Sequence, residues 1–417
     1  MTTTTTTLPA GCPHRLDGTG SDVHGEAAAL RAQGPAARVL LPGDIPAWSV
    51  TDPNLIRRLL THPGISKDAH RHWPAFIEGR LPADWPLRIW VDVRNALSAY
   101  GDEHRRLRRP LATAFTTRRV RALVPHVQAI TDALLDDLGT AGPEETVDLR
   151  ARFAWRLPLL VVNAVLGVPE HLHDGFRDAI GLLFATDLAP EEAAAAPVAV
   201  YELIDELIAH KKDHPGDDVT SALIAAAEDA DGRLTTGELR DSLMLLIGAG
   251  HETTVNLLDN AVVELLRNPD QLALALSGEV GWEKVVEEAL RHQAPVASIL
   301  LRFAVHDLTD EPTGIRFAQG DAIVINFAAA GRDPHVHGPG ADRFDVTRDD
   351  HSHLSFGHGP HLCLGAELAR IEARIALPAL FARFPGLRLA DTPLQPLASF
   401  ISNGHQRVPV RLGRTAG

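Results

Sequence analysis

Apolar side chains recur every three to four positions over most of this chain and alternate with polar ones over only a small part of it. The helical period predicts helices at residues 25–31, 52–61, 102–117, 118–138, 150–167, 170–185, 191–212, 216–228, 236–268 and 282–292. Strand signals are few. Val39, Leu40, Leu41, Trp48 and Val50 around Pro42-Gly43-Asp44 predict a hairpin over 37–50, and a second hairpin is predicted from 314–317 and 321–327 across the turn Gln319-Gly320. The fold class is therefore mainly α with a minor β part, without internal repeats. The stretch 236–268 is apolar on nearly every side (Leu243, Leu245, Leu246, Ile247, Val255, Leu257, Leu258), so it is expected to cross the interior.

The pattern fails in two places. A threonine tract opens the chain, and residues 1–24 are expected to form a flexible tail. No Gly/Ser or Pro-rich linker divides the remainder of the chain, so 25–417 reads as one domain. Residues 71–90 gather Trp73, Trp85 and Trp90 with Pro74, Pro82 and Pro86 and have poor helical character. Large aromatics in an irregular segment suit either a lid over an apolar ligand or a loop anchored on the core, and both readings stay open.

Composition narrows the partners. With 417 residues, 45% of them hydrophobic, and a net charge of −14, the chain can bury a large core. Its acidic surface argues against nucleic acid or an anionic membrane as the main partner. The apolar run at 157–169 is broken by Pro158 and Asn163 and is far shorter than the roughly twenty residues of a spanning helix. No basic-then-apolar leader is evident, and two unpaired cysteines suit a reducing compartment, so a monomeric cytoplasmic protein is expected.

Candidate chemistry centres on Cys363 in Phe356-Gly357-His358-Gly359-Pro360-His361-Leu362-Cys363-Leu364-Gly365. Glycines let the backbone turn sharply beneath a sulfur without Cβ atoms in the way. Leu364, Leu368, Ile371 and Ile375 then start an amphipathic helix whose N-terminal amides favour thiolate over thiol. One thiolate offered from such a loop suits an axial ligand for haem iron, and thiolate ligation favours O–O cleavage over oxygen carriage. A zinc site would need more thiolates or a helix-spaced histidine pair; His351, His353, His358 and His361 crowd the segment, but the only other cysteine is Cys12. A buried structural thiol would not ask for the flanking glycines.

The central helix carries a second signal. Gly248-Ala249-Gly250-His251-Glu252-Thr253-Thr254 places two glycines, an acid and two alcohols inside a buried helix, at a cost in helix propensity. That cost makes sense if the helix opens locally for a small ligand that Thr253 can bond. Small residues at a helix–helix contact are the bland alternative.

The cysteine segment resembles the haem-binding loop of the cytochrome P-450 superfamily, whose pattern Phe-Gly-x-Gly-x-His-x-Cys-x-Gly is met at every specified position. Ala249-Gly250-x-Glu252-Thr253 resembles the oxygen-binding groove of the same superfamily. The resemblance covers about residues 25–413 and looks like that of soluble bacterial, actinobacterial members. It implies the superfamily's fold, a triangular helical prism with haem between the long central helix and the cysteine-loop helix. It also implies Cys363 as the iron ligand of heme b, with Phe356, Gly357, Gly365 and Ala249 against the cofactor and His104, Arg108, Arg302 and His361 on its propionates. Glu252 and Thr253 become the proton-delivering pair. Glu288-x-x-Arg291 becomes a buried structural pair joined by a later arginine, for which Arg343 in Asp342-Arg343-Phe344-Asp345 is the candidate. Substrate walls fall by family position on Trp85, Trp90, Leu245, Ala249, Ser298, Ile299, Leu300, Phe400 and Ile401, few of them charged. Two departures, Ala330-Gly331-Arg332-Asp333-Pro334 where many members have Asn before Arg-Asp-Pro, and Leu364 after the cysteine where alanine is frequent, touch only local packing.

The implied activity is a haem-thiolate monooxygenase that hydroxylates a largely apolar small molecule such as a steroid, a macrolide or another natural product. O2 is its co-substrate. Electrons would come from NAD(P)H through a separate ferredoxin and ferredoxin reductase, since no flavin or reductase domain is apparent. Arg105, Arg106, Arg109, Arg370 and Arg374 are the expected docking charges for an acidic carrier. Oxidative radical coupling by the same haem is one alternative. A haem-binding sensor or carrier without turnover is another, against which Glu252 and Thr253 argue because a carrier needs no proton relay.

Overall fold

The computed structural model describes residues 13–82, 85–183, 190–229 and 234–413. Cys12 and the rest of the threonine tract lie outside them. Helices dominate, and the longest, Thr236–Arg267, has 32 residues and so runs about 48 Å at 1.5 Å per residue. Its start is fixed by a capping box: the Thr235 side chain accepts from the Glu238 amide while Glu238 reaches back to the Thr235 amide. From Leu239 to Leu265 it is buried at most positions, as its apolar surface requires, and it packs on Arg156–Leu166, Pro190–Asp213, Trp282–His292 and Ala366–Arg383.

The largest part of the β structure is a six-stranded sheet in the order His14–Arg15, Ala36–Leu41, Ile45–Val50, Ala322–Asn326, Ser298–Ala304, Ile65–Ser66. The expected hairpin at 37–50 is present as an antiparallel pair in register from Ala36 with Val50 to Leu41 with Ile45. The expected hairpin at 314–327 is not. Ile315–Phe317 pairs with Leu308–Asp310 instead, whereas Ala322–Asn326, buried at every position, enters the sheet interior between Ile45–Val50 and Ser298–Ala304. A strand buried on both faces finds its partners by burial rather than by the nearest turn.

Three other boundaries differ. Residues 13–24, expected within the tail, include His14–Arg15 paired parallel to Val39 and Leu40, and the first helix begins at Val23 with Asp22 accepting from the Gly25 amide. The helix expected at 118–138 is two, Thr117–Ala122 and Val124–Leu138, the second starting with a proline in its first turn. The helix expected at 150–167 opens with a π-helical turn, Arg150–Ala154, before Arg156–Leu166 stops at Gly167 in the left-handed region. No helix among the described residues is long and apolar enough to cross a membrane.

Candidate functional site

The segment before Cys363 turns as its glycines require. Gly357 and Gly359 have φ of 75° and 72°, and a Cβ on Gly359 would also stand 2.9 Å from the Leu60 carbonyl oxygen. Gly365 is different: its φ is −83°, and a Cβ there would make only ordinary contact, 3.9 Å from Cys363 Sγ. The turn is closed by the Cys363 amide donating to the Phe356 carbonyl at 2.9 Å. It is clamped from outside as well. Ser355 Oγ donates to the Leu290 carbonyl at 2.6 Å, Arg370 binds Glu287 through two bonds of 2.6 and 2.9 Å, and its guanidinium lies 4.5 Å over the Phe356 ring.

The thiol is accessible, yet protein surrounds it closely enough that burial pushes its pKa up. The amides of Gly365 and Ala366 and the charges of Arg108 and Arg370 pull the other way. The helix Ala366–Arg383 thus begins where expected, with its first amides aimed at the sulfur. Among the described residues no group of three or more His, Cys, Asp or Glu side chains is arranged to hold a metal ion.

Beside the thiol lies a concentration of positive charge. His104 and Arg108 share one face of Gly101–Ala114 at i and i+4. The His104 ring packs 4.0 Å from that of His361, and an Arg108 Nη donates to the Leu362 carbonyl. Arg302 comes from Ser298–Ala304, just after a bulge between Ile299 and Arg302 that shifts the strand's register. It is buried, and among the described residues its Nη1 has no partner; His104 Nε2 is likewise buried without one. Burial lowers Arg302 to about 10. Burial, then the charges of Arg108, Arg105 and Lys67, lowers His104 to about 4, and burial with Lys67, His104, Arg302 and Arg108 drives His361 far below its ordinary range.

Lys67 is not legible in the sequence. It follows the edge strand Ile65–Ser66, is buried, and donates to the Leu300 carbonyl at 3.1 Å, with burial and Arg302 holding its pKa well below the ordinary lysine range. A lone lysine in a weak strand carries no periodic signal; only the sheet brings it to Arg302. Buried cations without a carboxylate are costly unless an anionic group joins them. Five basic residues around one thiol therefore fit a dianionic macrocycle whose metal the sulfur would bind.

The central helix runs unbroken through 248–254, without the expected local opening. Ala249 is exposed on a partly buried stretch of the helix, and Thr253 Oγ1 donates to the Ala249 carbonyl at 2.8 Å, a contact one turn back along the helix. Glu252 turns elsewhere. Burial raises its pKa, against a hydrogen bond from Ser402 and the charge of Arg150, while Asp259 adds to the rise. Among the described residues no hydrogen bond joins Glu252 to Thr253.

Glu288 and Arg291 form the expected buried pair, bidentate at 2.7 Å in each bond and with both side chains fully inaccessible. The third member is corrected. Arg343 is exposed and offers only its backbone carbonyl, which accepts from Arg291 at 2.9 Å. The side chains that reach Glu288 are those of Arg348 at 3.4 Å and His351 at 3.3 Å. Arg291 also donates to the carbonyls of Gly331 and Ala341 at 2.6 and 2.8 Å, so one guanidinium ties the end of the helix Phe327–Gly331 and the loop at 341–343 to the helix Trp282–His292.

The proposed substrate walls divide. Leu245, Ala249, Ile299 and Trp90 keep accessible surface, whereas Ser298, Leu300, Phe400 and Ile401 are buried. Trp85 is buried against Trp73, its indole N–H donating to the Pro42 carbonyl at 2.7 Å, which is the anchored-loop arrangement rather than a free lid wall. Four of the five expected docking arginines are occupied by carboxylates of this chain: Arg105 by Asp102, Arg106 by Glu103 and Glu238, Arg370 by Glu287 and Arg374 by Glu367.

A sequence model of the family described as Cytochrome P450 matches residues 282–396. The 2-hydroxy-5-methyl-1-naphthoate 7-hydroxylase of Streptomyces carzinostaticus is 42% identical over 413 residues, 97% of this chain and 99% of that protein. The solved structure of CYP154A1 from Streptomyces coelicolor is 50% identical, with a TM-score of 0.88 over 96% of this chain and 100% of the other. Testosterone-bound CYP154C4 from a Streptomyces is 42% identical, with a TM-score of 0.91 over 97% of this chain and 100% of the other.

Proposed function

The chain belongs to the cytochrome P450 family and is an oxygen-inserting monooxygenase, and from that premise we propose that Cys363 ligates the haem iron, that Lys67, His104, Arg108, Arg302 and His361 hold the haem carboxylates, and that the substrate is a fused-ring, largely apolar natural product. The observation that carries this assignment is the convergence of those basic residues, two of them with unpartnered buried nitrogens, beside a cysteine whose sulfur faces the Gly365 and Ala366 amides. Haem bound there supplies oxygen activation. Thr253 offers its hydroxyl beside the exposed Ala249, Glu252 holds and releases a proton, and Leu245, Ala249 and Ile299 exclude water and position the substrate's apolar surface. The fused-ring reading draws on the named activity of the naphthoate hydroxylase and on the steroid bound to CYP154C4. Electrons arrive from separate carrier proteins in the cytoplasm, with Arg109 the expected docking charge that no carboxylate occupies among the described residues.

The test is product analysis with isotopically labelled O2, carrier proteins and a fused-ring library first screened for spin-state shifts. One labelled oxygen atom in the product is expected; an unlabelled coupled dimer would replace hydroxylation by radical coupling, and no turnover would leave a carrier. Two variants sharpen the assignment. Lys67→Met is expected to weaken haem retention about tenfold or more, read by transfer to apomyoglobin, because one buried counter-charge is lost; unchanged transfer would remove Lys67 from the carboxylate cluster. Thr253→Ala is expected to keep substrate binding while diverting a several-fold larger share of electrons to hydrogen peroxide.

A further inference from the structure

The polar face of the central helix continues from Glu252 into the core. Glu252, Asn256 and Asp259 stand at i, i+4 and i+7, hence on one stripe about two turns long. Asn256 and Asp259 are buried, among Val255, Leu257, Leu258 and Ala261. Facing them is Arg150, also buried, the first residue of the π-helical turn. Its Nη1 donates to Asn256 Oδ1 at 2.9 Å and to the Asp259 carboxylate.

The segment after Phe400 closes the other side. Ser402 bonds Glu252, and Gly404 backs the stripe so closely that a Cβ would stand 2.5 Å from Asn256 Oδ1. The His405 amide donates to Asp259 Oδ2 at 3.4 Å, and His405 Nδ1 lies 3.4 Å from Oδ1. His405 is the partly exposed member, with 15% of its side chain accessible. Among the described residues, Arg150 and Asp259 are the charged groups that act on Glu252, and His405 reaches it only through Asp259.

A buried ion pair such as Arg150–Asp259 is weak grounds for stability, because desolvation consumes most of what the charges gain. Its position has another consequence. Glu252 lies beside a guanidinium whose aim is fixed by two anchors. Resting on the assignment of Glu252 to proton supply, we propose that Arg150 is a positioning residue for that step, its fixed charge favouring the Glu252 carboxylate left after proton release, while Asp259, braced by His405, holds Arg150 in place and limits that pull. The proton leaves the Glu252 carboxyl toward the active site, and bulk water restores it.

The two ends of the pair then have opposite effects on Glu252, which a merely structural role would not produce. The readout is the carboxylic-acid infrared band of Glu252, assigned by its loss in Glu252→Gln and titrated in substrate-bound holoenzyme. In Arg150→Met the band is expected to persist to a pH about one unit or more higher than in the parent, and in Asp259→Asn to disappear at a lower pH. Arg150→Lys, which keeps the charge, should stay near the parent. Where Arg150→Met does not fold, Arg150→Gln, which retains a donor, replaces it. Shifts of the same sign in both variants, or none in either, overturn the proposal. Peroxide release in Glu252→Gln separates the premise: unaltered coupling there removes Glu252 from proton supply, whereas disturbed coupling without opposed band shifts removes only Arg150.

Discussion

Cys363→His is expected to leave a folded protein that still takes up haem, yet forms product slower by on the order of a thousandfold. Haem uptake survives because Lys67, Arg302, Arg108, His104 and His361 are untouched, and they cluster around His361 without depending on the sulfur. Turnover does not, because a neutral imidazole lacks the electron donation with which thiolate favours O–O cleavage. The substitution also misplaces the local field: the Gly365 and Ala366 amides and the Arg108 and Arg370 charges are arranged for an anion, and imidazole brings none. The reduced carbon monoxide complex checks the assignment independently of activity. Its main absorption band should move to the shorter wavelength of a histidine-bound haem; an unmoved band would mean that another residue ligates the iron.

Residues that serve local geometry are legible before the fold, and those that serve it from afar are not. Gly357 and Gly359 announce a turn because positive φ excludes most other residues, and the turn is there. Thr236–Arg267 announces a buried helix because it is apolar all round. His104 and Arg108 share a face by helical spacing alone. Lys67 gives no such signal, since its role depends on Ile65–Ser66 joining Ser298–Ala304 from more than two hundred positions away. Ala322–Asn326 reads as the partner of its sequence neighbour for the same reason: a strand in the middle of a sheet is chosen by two distant partners. Arg343 stands in for Arg348 in the sequence because four residues of irregular loop separate backbone contact from side-chain contact, and loop direction has no period to read. Asn256 and Asp259 are visible as polar interruptions of an apolar helix; what they face, Arg150, is set by a π-helical turn that helical periodicity smooths over.

The largest expected effect on stability comes from the network around Glu288. Arg291→Met should lower the unfolding free energy by about 3–5 kcal/mol, the usual cost of removing one partner from a buried charge pair. The loss has two parts here. Glu288 keeps a fully buried carboxylate with Arg348, His351 and the Asp345 amide beside it, and the carbonyls of Gly331, Ala341 and Arg343 lose a charged donor. Arg348→Met should cost less, since Arg291 remains, and Arg343→Met should fall within about 0.5 kcal/mol of the parent because its side chain is exposed. A cost for Arg343→Met equal to that of Arg348→Met would contradict the contacts around Glu288. Acidity gives an independent check. Burial by itself raises the Glu288 carboxyl, but the bonds from Arg291, His351 and the Asp345 amide overcome it and hold the group at about 2, below its ordinary 4.5. A depressed folded-state pKa adds stability that is complete above the ordinary value and is lost as the pH falls from about 4.5 through about 2. Denaturant unfolding followed across that window should therefore show the parent losing stability more steeply than Glu288→Gln, whose neutral side chain has no proton to take up; equal slopes would mean that Glu288 is not held ionised by this pair.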